Sequence, residues 1–308
     1  MDFKISSPGK LLITSEYYVT KGSLALAIPT KFRQSLDFKY DNSNRLKWKS
    51  YDKENDIWID CEFELSNFKI TKNKNKHSKT LQSILISANN INPEFLINNG
   101  GGLVTTQLNF SRKWGLGTSS TLINNISKWA NIDPYELLWS NYKGSGYDIA
   151  CALAKRPILY KLENNVPIVK SIQFSPDYTK NIFFIYLNKK QDSNKEIDKF
   201  FELKISKQTI NKLSDLTIEF VNSKTLLDFQ NCIIKHENII SKTLKVDTIK
   251  NMYFKDYEGQ IKSLGAWGGD FILAAGPVNS KKYFYDKGYN TVLNLSLIHI
   301  SEPTRLNP

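Results

Sequence analysis

Leu103 to Ile132 reads LVTTQLNFSRKWGLGTSSTLINNISKWANI. Its first eight residues alternate in period two, which predicts a short strand delivering the chain into a loop. The block Trp114-Gly115-Leu116-Gly117-Thr118-Ser119-Ser120-Thr121 fills that loop, and from Ser120 onward the apolar residues take helical spacing. Gly115 and Gly117 permit close backbone approach, the first amides of the helix point at an anion, and Thr118, Ser119 and Ser120 offer hydroxyls. That combination suits phosphate and a hard cation. No Lys follows the glycines in the Walker A pattern, and such a block taken alone is more often a plain helix cap.

Two more glycine-bearing blocks lie downstream. Gly144-Ser145-Gly146-Tyr147-Asp148-Ile149-Ala150 sets an acidic residue after a tight turn and at the start of an apolar helix, where an Asp also meets the helix dipole. Leu264-Gly265-Ala266-Trp267-Gly268-Gly269-Asp270-Phe271 lies between two strand patterns and by itself reads as a hairpin.

Around these blocks the first third alternates in period two, through FKIS, LLITSEYYV, SLALAIP, RQSLDFKY, LKWKSY and IWIDCEFEL, and predicts antiparallel strands of one sheet. A Lys/Asn-rich break with a solvated His77 precedes a helical pattern over TLQSILISANNI. DPYELLWSNY reads as a helix with Asp133 as N-cap and Pro134 at its first position, and YDIACALAK as another. RPILYKL and PIVKSIQF read as strands. After NIFFIYL come helical patterns over 193–203, 206–222 and 224–243, then strand-turn-strand, a helix near 279–287 and TVL. The mixture is α+β in both halves, with a boundary placed near residue 175: an N-terminal domain over 1–175 and a C-terminal one over 176–294. Residues 295–308 contain LSLIHISEPTR, which reads as the translation of a sequencing adaptor and implies that the natural C-terminus is missing.

The 308 residues are 41% hydrophobic and 23% charged, which excludes disorder, collagen and coiled coil as accounts of the whole chain. Absence of a long apolar run or a leader-like start makes the cytoplasm the expected compartment and gives no membrane partner. Cys61, Cys151 and Cys232 fit neither a disulfide framework nor paired zinc-ligand spacing, and read as reduced, buried thiols. The net charge of +12 is scattered rather than gathered on one element, so no specific nucleic-acid partner is expected.

With Pro8-Gly9-Lys10 and Glu16, the three blocks fall in an order that resembles the GHMP superfamily of small-molecule kinases. SPGKLLITSEYYVTKGSLALAIPT is similar to the family's first motif, WGLGTSST to its nucleotide loop, GSGYD to its S-G-x-D motif and SLGAWGGDF to its third motif. The likeness runs from about Pro8 to Ala275, and is nearest to a bacterial subgroup marked by Gly-Tyr-Asp-Ile-Ala, as at Gly146 to Ala150. Glu16-Tyr17, Gly146-Tyr147-Asp148 and Gly269-Asp270 lean toward phosphomevalonate kinase, with mevalonate kinase next.

The resemblance implies a two-domain fold: an N-terminal α+β domain with a left-handed βαβ crossover and a C-terminal ferredoxin-like domain, binding ATP and a small anionic acceptor between them. It implies a kinase transferring the γ-phosphoryl group to a small-molecule hydroxyl or phosphate, with mevalonate or 5-phosphomevalonate as the leading acceptors. Gly115, Leu116, Gly117, Thr118, Ser119 and Ser120 would cradle the phosphates, Ser119 would meet Mg²⁺, and Asp148 and Lys10 would be catalytic. Glu16, Tyr17, Ser145, Gly146, Ser193, Gly265, Gly268 and Gly269 would line the acceptor side. Glu136 stands one residue from a clean match to a Mg²⁺-binding Glu and is either that ligand or a surface helix position. Ser15 replaces the glycine usual before Glu16, and Trp267 stands where the family prefers a small residue. A catalytically idle ligand-binding protein and diphosphomevalonate decarboxylase are the alternatives, and a homodimer is left open.

Overall fold

Alternating burial along Arg45–Tyr51, where Leu46, Trp48 and Ser50 point inward, is the pattern of a strand with one face on a core. The computed structural model describes residues 2–96, 100–189, 200–265, 267 and 269–298. These form two units, Met1–Gly9, Phe32–Arg112 and Leu116–Leu153 in the first and Lys10–Lys31, Lys113–Gly115 and Ala154–Pro308 in the second. Strands β1 (Phe3–Leu12) and β2 (Ala25–Tyr40) run through both.

In the first unit, β3 (Arg45–Tyr51) lies between β4 (Ile57–Glu64) and β6 (Gly102–Leu108). The short β5 (Ile70–Lys72) flanks β4, and Gln34 to Tyr40 of β2 pair antiparallel with β6. The β3–β6 pairing is parallel, so the chain must cross over between them, and α1 (Lys76–Ile91) lies in that connection. The helix begins earlier than its apolar pattern suggests, because Asn75 and Ser78 cap it reciprocally. Helices α2 (Thr118–Ala130), α3 (Pro134–Asn141) and α4 (Tyr147–Leu153) complete the unit. Its core sets Phe38, Trp48, Phe63 and Val104 of the strands against Leu85, Ile123, Ile126 and Ile149 of the helices. The buried Trp48 indole donates to Ser50 Oγ at 3.0 Å, so its polar edge is not orphaned.

The second unit holds β9 (Ile182–Tyr186), β10 (Gln260–Ser263), β11 (Phe271–Ala275) and β12 (Val292–Asn294), all antiparallel in the order β10-β11-β9-β12. With α5 (Lys207–Asn222), α6 (Leu226–Leu244) and α7 (Ile249–Tyr253) before β10 and α8 (Ser280–Asp286) before β12, this is the ferredoxin-like arrangement. Ile261, Ile272 and Phe183 face a core with Phe254 and Phe284. Lys262 alternates to the opposite face, where α6 packs on β10 and β11. Strands β7 (Ile158–Glu163) and β8 (Val166–Ser171) form a hairpin, with β7 on Ala25 to Ala27 of β2, and Leu295–Ile298 form a final helical turn, α9.

Two expectations need correcting. LLITSEYYV is not a strand: β1 ends at Leu12, and after a kink with Ser15 and Tyr17 both at φ 62° the chain makes a 3-10 turn over Tyr18–Lys21. The chain also divides after Leu153 rather than near residue 175, and Lys10–Lys31 goes with the later unit. The reason is side-chain bonding over long sequence separations, which periodicity does not display: Thr14 Oγ1 meets Thr217 Oγ1 at 2.8 Å, and Leu24 N–H donates to Ser214 Oγ at 2.9 Å. Cys61, Cys151 and Cys232 are free and buried, as expected.

Candidate active site

The nucleotide-loop block opens α2 through two left-handed glycines, Gly115 at φ 65° and Gly117 at φ 90°. A Cβ on Gly115 would stand 2.6 Å from Asp270 Oδ2. Gly117 is the N-cap and no side chain caps the helix. The Ser120 hydroxyl turns back to Gly117 O at 2.9 Å, and Thr121 Oγ1 is taken by Gln34 Oε1 at 2.6 Å. The opening amides of α2 are thus left without a side-chain acceptor, the condition under which a helix N-terminus takes an external anion. Ser119 is exposed, and its hydrogen bond to the Tyr142 phenol opposes burial, which nonetheless keeps that phenol above its ordinary range. Leu116 is buried, so it contributes backbone rather than a side chain.

Behind this opening α2 is anchored by buried polar groups that no motif marked. Asn125 Nδ2 donates to Gln34 O at 3.0 Å, Ser7 Oγ donates to Asn125 Oδ1 at 2.6 Å, and Asn124 Nδ2 donates to Ser7 Oγ at 2.7 Å. Ser7 begins the first motif, three residues before Lys10. The only sequence signal was the presence of two amides on the inner face of an otherwise apolar helix.

Asp148 lies in the first turn of α4, half-buried, with Oδ1 accepting from Ile149 N–H at 3.1 Å. The turn before it is tight: Gly146 has φ 81°, and a Cβ there would meet Tyr135 Cδ1 at 3.0 Å. Tyr135 packs on Trp139 one helical turn on, and the Trp139 indole donates to Gly144 O at 3.2 Å. Burial first, and then the neighbouring Cys151, Asp148 and Asp133, push the Tyr135 phenol up, so it stays protonated beside Asp148. Ser145 is buried in the same turn. Helices α2 and α4 pack together, and so do α2 and α3. Glu136 is exposed on α3, whose cap is Asp133, accepting from Tyr135 and Glu136 N–H.

In the second unit, Lys10 is half-buried near the end of β1. Tyr17 is stacked on Phe200, with ring centroids 5.4 Å apart, and its hydroxyl accepts from Trp267 N–H at 3.0 Å. Trp267 itself is buried. Ser15 adopts the left-handed backbone that the usual glycine would favour, and holds it by donating Oγ to Leu24 O at 2.6 Å and N–H to His236 Nε2 at 2.9 Å. Glu16, expected at the acceptor, is fully buried and accepts from Lys262 Nζ. Gly265 is left-handed with open space where a Cβ would stand, and Gly269 is buried. Trp114 packs edge-on against Phe271 at 5.8 Å. Ser193 and Gly268 lie outside the described residues.

Oxygen donors are what Mg²⁺ takes, usually from one or two carboxylates, phosphates and water. The exposed Ser119 hydroxyl and Glu136 carboxylate are chemically of that kind, and no group of three or more His, Cys, Asp or Glu among the described residues forms a dedicated all-protein cage. No described helix is long and apolar enough to cross a membrane.

No protein-family model matches the chain, and no curated protein matches it in sequence. Solved structures do match along nearly its whole length. Phosphomevalonate kinase from Streptococcus pneumoniae, in complex with phosphomevalonate and AMPPNP, is 14% identical with a TM-score of 0.69, covering 95% of this chain and 100% of that one. Mevalonate kinase from Methanococcus jannaschii is 16% identical with a TM-score of 0.66, covering 96% and 98%. Galactokinase from Lactococcus lactis, complexed with galactose, is 13% identical with a TM-score of 0.65, covering 95% and 92%. The chain has the α+β fold that these small-molecule kinases of the GHMP superfamily share, as its four ordered motifs led one to expect.

Proposed function

We propose that the chain is an ATP- and Mg²⁺-dependent GHMP-family kinase that transfers the γ-phosphoryl group to a hydroxyl or phosphate of a small anionic acceptor, with 5-phosphomevalonate or mevalonate the leading candidates. The observation that carries this reading is the start of α2: two left-handed glycines, uncapped amides and an exposed Ser119, on a fold shared with kinases. The acceptor lean rests on Glu16-Tyr17, Gly146-Tyr147-Asp148 and Gly269-Asp270.

Phosphoryl transfer asks a protein mainly for positioning and charge stabilisation. In this reading the amides from Thr118 to Ser120 receive phosphate oxygens, and the turn at Gly115 lets backbone approach them closely. Mg²⁺, when bound, neutralises phosphate charge, with Ser119 and Glu136 as the residues that would hold it. Asp148 accepts the acceptor's proton or holds its oxygen in line, and the protonated Tyr135 phenol beside it supplies no competing base. Lys10 stabilises negative charge as it develops. Ser145 and Gly146 shape the turn that aims Asp148, while Tyr17, Gly265 and Gly269, and Ser193 and Gly268 beyond the described residues, belong to the acceptor side. We place the protein in the cytoplasm, without a specific nucleic-acid or membrane partner.

The test is ADP release with ATP and Mg²⁺ across mevalonate, 5-phosphomevalonate, sugars and homoserine, for wild type and Asp148→Asn. Turnover on one acceptor that the substitution abolishes supports the reading. Turnover unaffected by it removes Asp148 from the mechanism.

A further inference from the structure

Four ionisable side chains meet in the second unit at a place no motif marks. Glu16, His236, Glu237 and Lys262 are each at most 3% exposed. Lys262 Nζ, on β10, donates to Glu16 Oε1 and to Ser263 O, and lies 3.8 Å from Glu237 Oε1. Glu237 Oε2, on α6, accepts from Ser263 N–H at 3.1 Å. The neighbouring His236 accepts from Ser15 N–H through Nε2, and the same Nε2 stands 3.3 Å from Glu16 Oε2. The edge of Phe220 on α5 closes the imidazole's side, and Thr217 and Ser23, which do not titrate, line the Ser15 side. Two adjacent residues of one helix therefore hold two distant segments: Ser15 in the first motif and Ser263 at the entry to the third.

The proton count follows from this geometry. Because Nε2 accepts the Ser15 amide, it carries no hydrogen, and the neutral ring bears its proton on Nδ1. Glu16 Oε2 then stands 3.3 Å from a nitrogen that carries no hydrogen and whose one lone pair the Ser15 amide already engages, a place that repels a charged carboxylate and favours a protonated one. One cation also cannot neutralise two buried carboxylates. Glu237 Oε2 is occupied by an amide donor and its Oε1 faces Lys262 and, at 3.9 Å, His236 Nδ1, so a proton is needed on Glu16.

We propose that Glu16 carries a proton toward His236 Nε2 in this cluster, that its loss to solvent weakens the hold of the Ser15–Tyr17 turn on the segment from Lys262 to Trp267, and that His236 and Glu237 are positioning residues for both segments. The cluster is a buried, pH-sensitive latch joining the first and third glycine-bearing motifs, whose second tie is Trp267 N–H to Tyr17 Oη. Burial raises the Glu16 carboxyl to about 7 against the pull of Lys262, and Glu237 to about 8, while the same burial, with Lys262, drives His236 well below its usual range. Coupled this closely through Lys262, Glu16 and Glu237 titrate as a pair.

Amide hydrogen exchange on the full chain tests the latch without substrate, so its failure is separate from failure of the kinase reading. Glu16→Gln carries a permanent N–H donor toward His236 Nε2 and removes the titration. Exchange of peptides covering 11–20 and 260–265 is compared between the two proteins from pH 5 to pH 8, which cancels intrinsic exchange and the ionisation of His236. Wild-type protection should fall relative to the variant by about tenfold per pH unit up to about pH 7 and level above it. A ratio independent of pH overturns the proposal. NMR of the His236 ring nitrogens in the wild type gives a second reading: Nδ1–H with a bare Nε2 that senses a titration near neutrality supports the latch, and a protonated Nε2 refutes it.

Discussion

The start of α2 and the middle of α6 put polar side chains to opposite uses. At α2 the Ser120 hydroxyl turns back to the N-cap carbonyl of Gly117, Ser119 is exposed, and no side chain caps the amides. At α6, His236 and Glu237 are sealed from water and spend their polar atoms on Ser15, Ser263, Glu16 and Lys262. The first arrangement leaves amide donors without a side-chain acceptor, and the second uses charge to fix two distant segments. An exposed charge costs little to keep, whereas a buried one binds its neighbours into a unit that fails together. Substitutions should therefore separate the two regions by what they damage.

The largest effect is expected at Asp148. Asp148→Asn should lower kcat by about 10² to 10⁴ while nucleotide binding, measured by calorimetry, stays near wild type. Nearly as large is the effect of Lys262→Met on stability. It leaves two buried carboxyls without their cation and should cost about 3–5 kcal/mol in urea unfolding.

The pH dependence of stability sharpens the contrast. Glu16 has a raised carboxyl in the folded state, so its contribution is full below the ordinary value of 4.5 and is lost as pH rises through about 7. His236 is lowered, so its contribution is full above 6.5 and is lost as pH falls. Glu237 is raised in the same way, to about 8, so two falling slopes meet one rising slope between 4.5 and 6.5, and the wild type should lose about 1.4 kcal/mol per pH unit there. Glu16→Gln removes one of the two falling slopes and should leave stability nearly flat over that range, read from unfolding midpoints.

Gly115→Ala tests the open region instead. At φ 65° a side chain is strained, and its Cβ would press on Asp270 Oδ2 at 2.6 Å. The strain should cost about 1–2 kcal/mol of folding stability in urea unfolding, and nucleotide affinity should fall with it. The smallest effect is expected where charge is exposed: Lys282→Ala breaks an i,i+4 pair with Asp286 and should change stability by less than about 0.5 kcal/mol.

Much of this was legible in the sequence wherever the signal is local. Asp133 and Pro134 announce α3 because a cap and a first-turn proline act within a few residues, and the glycines of the nucleotide loop do adopt left-handed backbone. The ferredoxin-like order followed from the resemblance rather than from periodicity. What the sequence concealed is long-range. LLITSEYYV alternates like a strand, yet the Ser15–Tyr17 kink is fixed by His236, more than two hundred residues away. Glu16 was assigned to the acceptor side by the resemblance, and nothing in the strand pattern around Lys262 announced that the two form a buried pair. Asn124 and Asn125 likewise gain meaning only once Ser7 and Gln34 are beside them.

The most direct test of the central claim is transfer of a radiolabelled γ-phosphoryl group from ATP to mevalonate or 5-phosphomevalonate, with wild type and Asp148→Asn side by side. The account predicts a labelled acceptor with the wild type, and about a hundredfold less or lower with the variant while ATP is still bound. ATP bound by both proteins, with no label reaching any of the tested acceptors, mevalonate-type, sugar or homoserine, would contradict it.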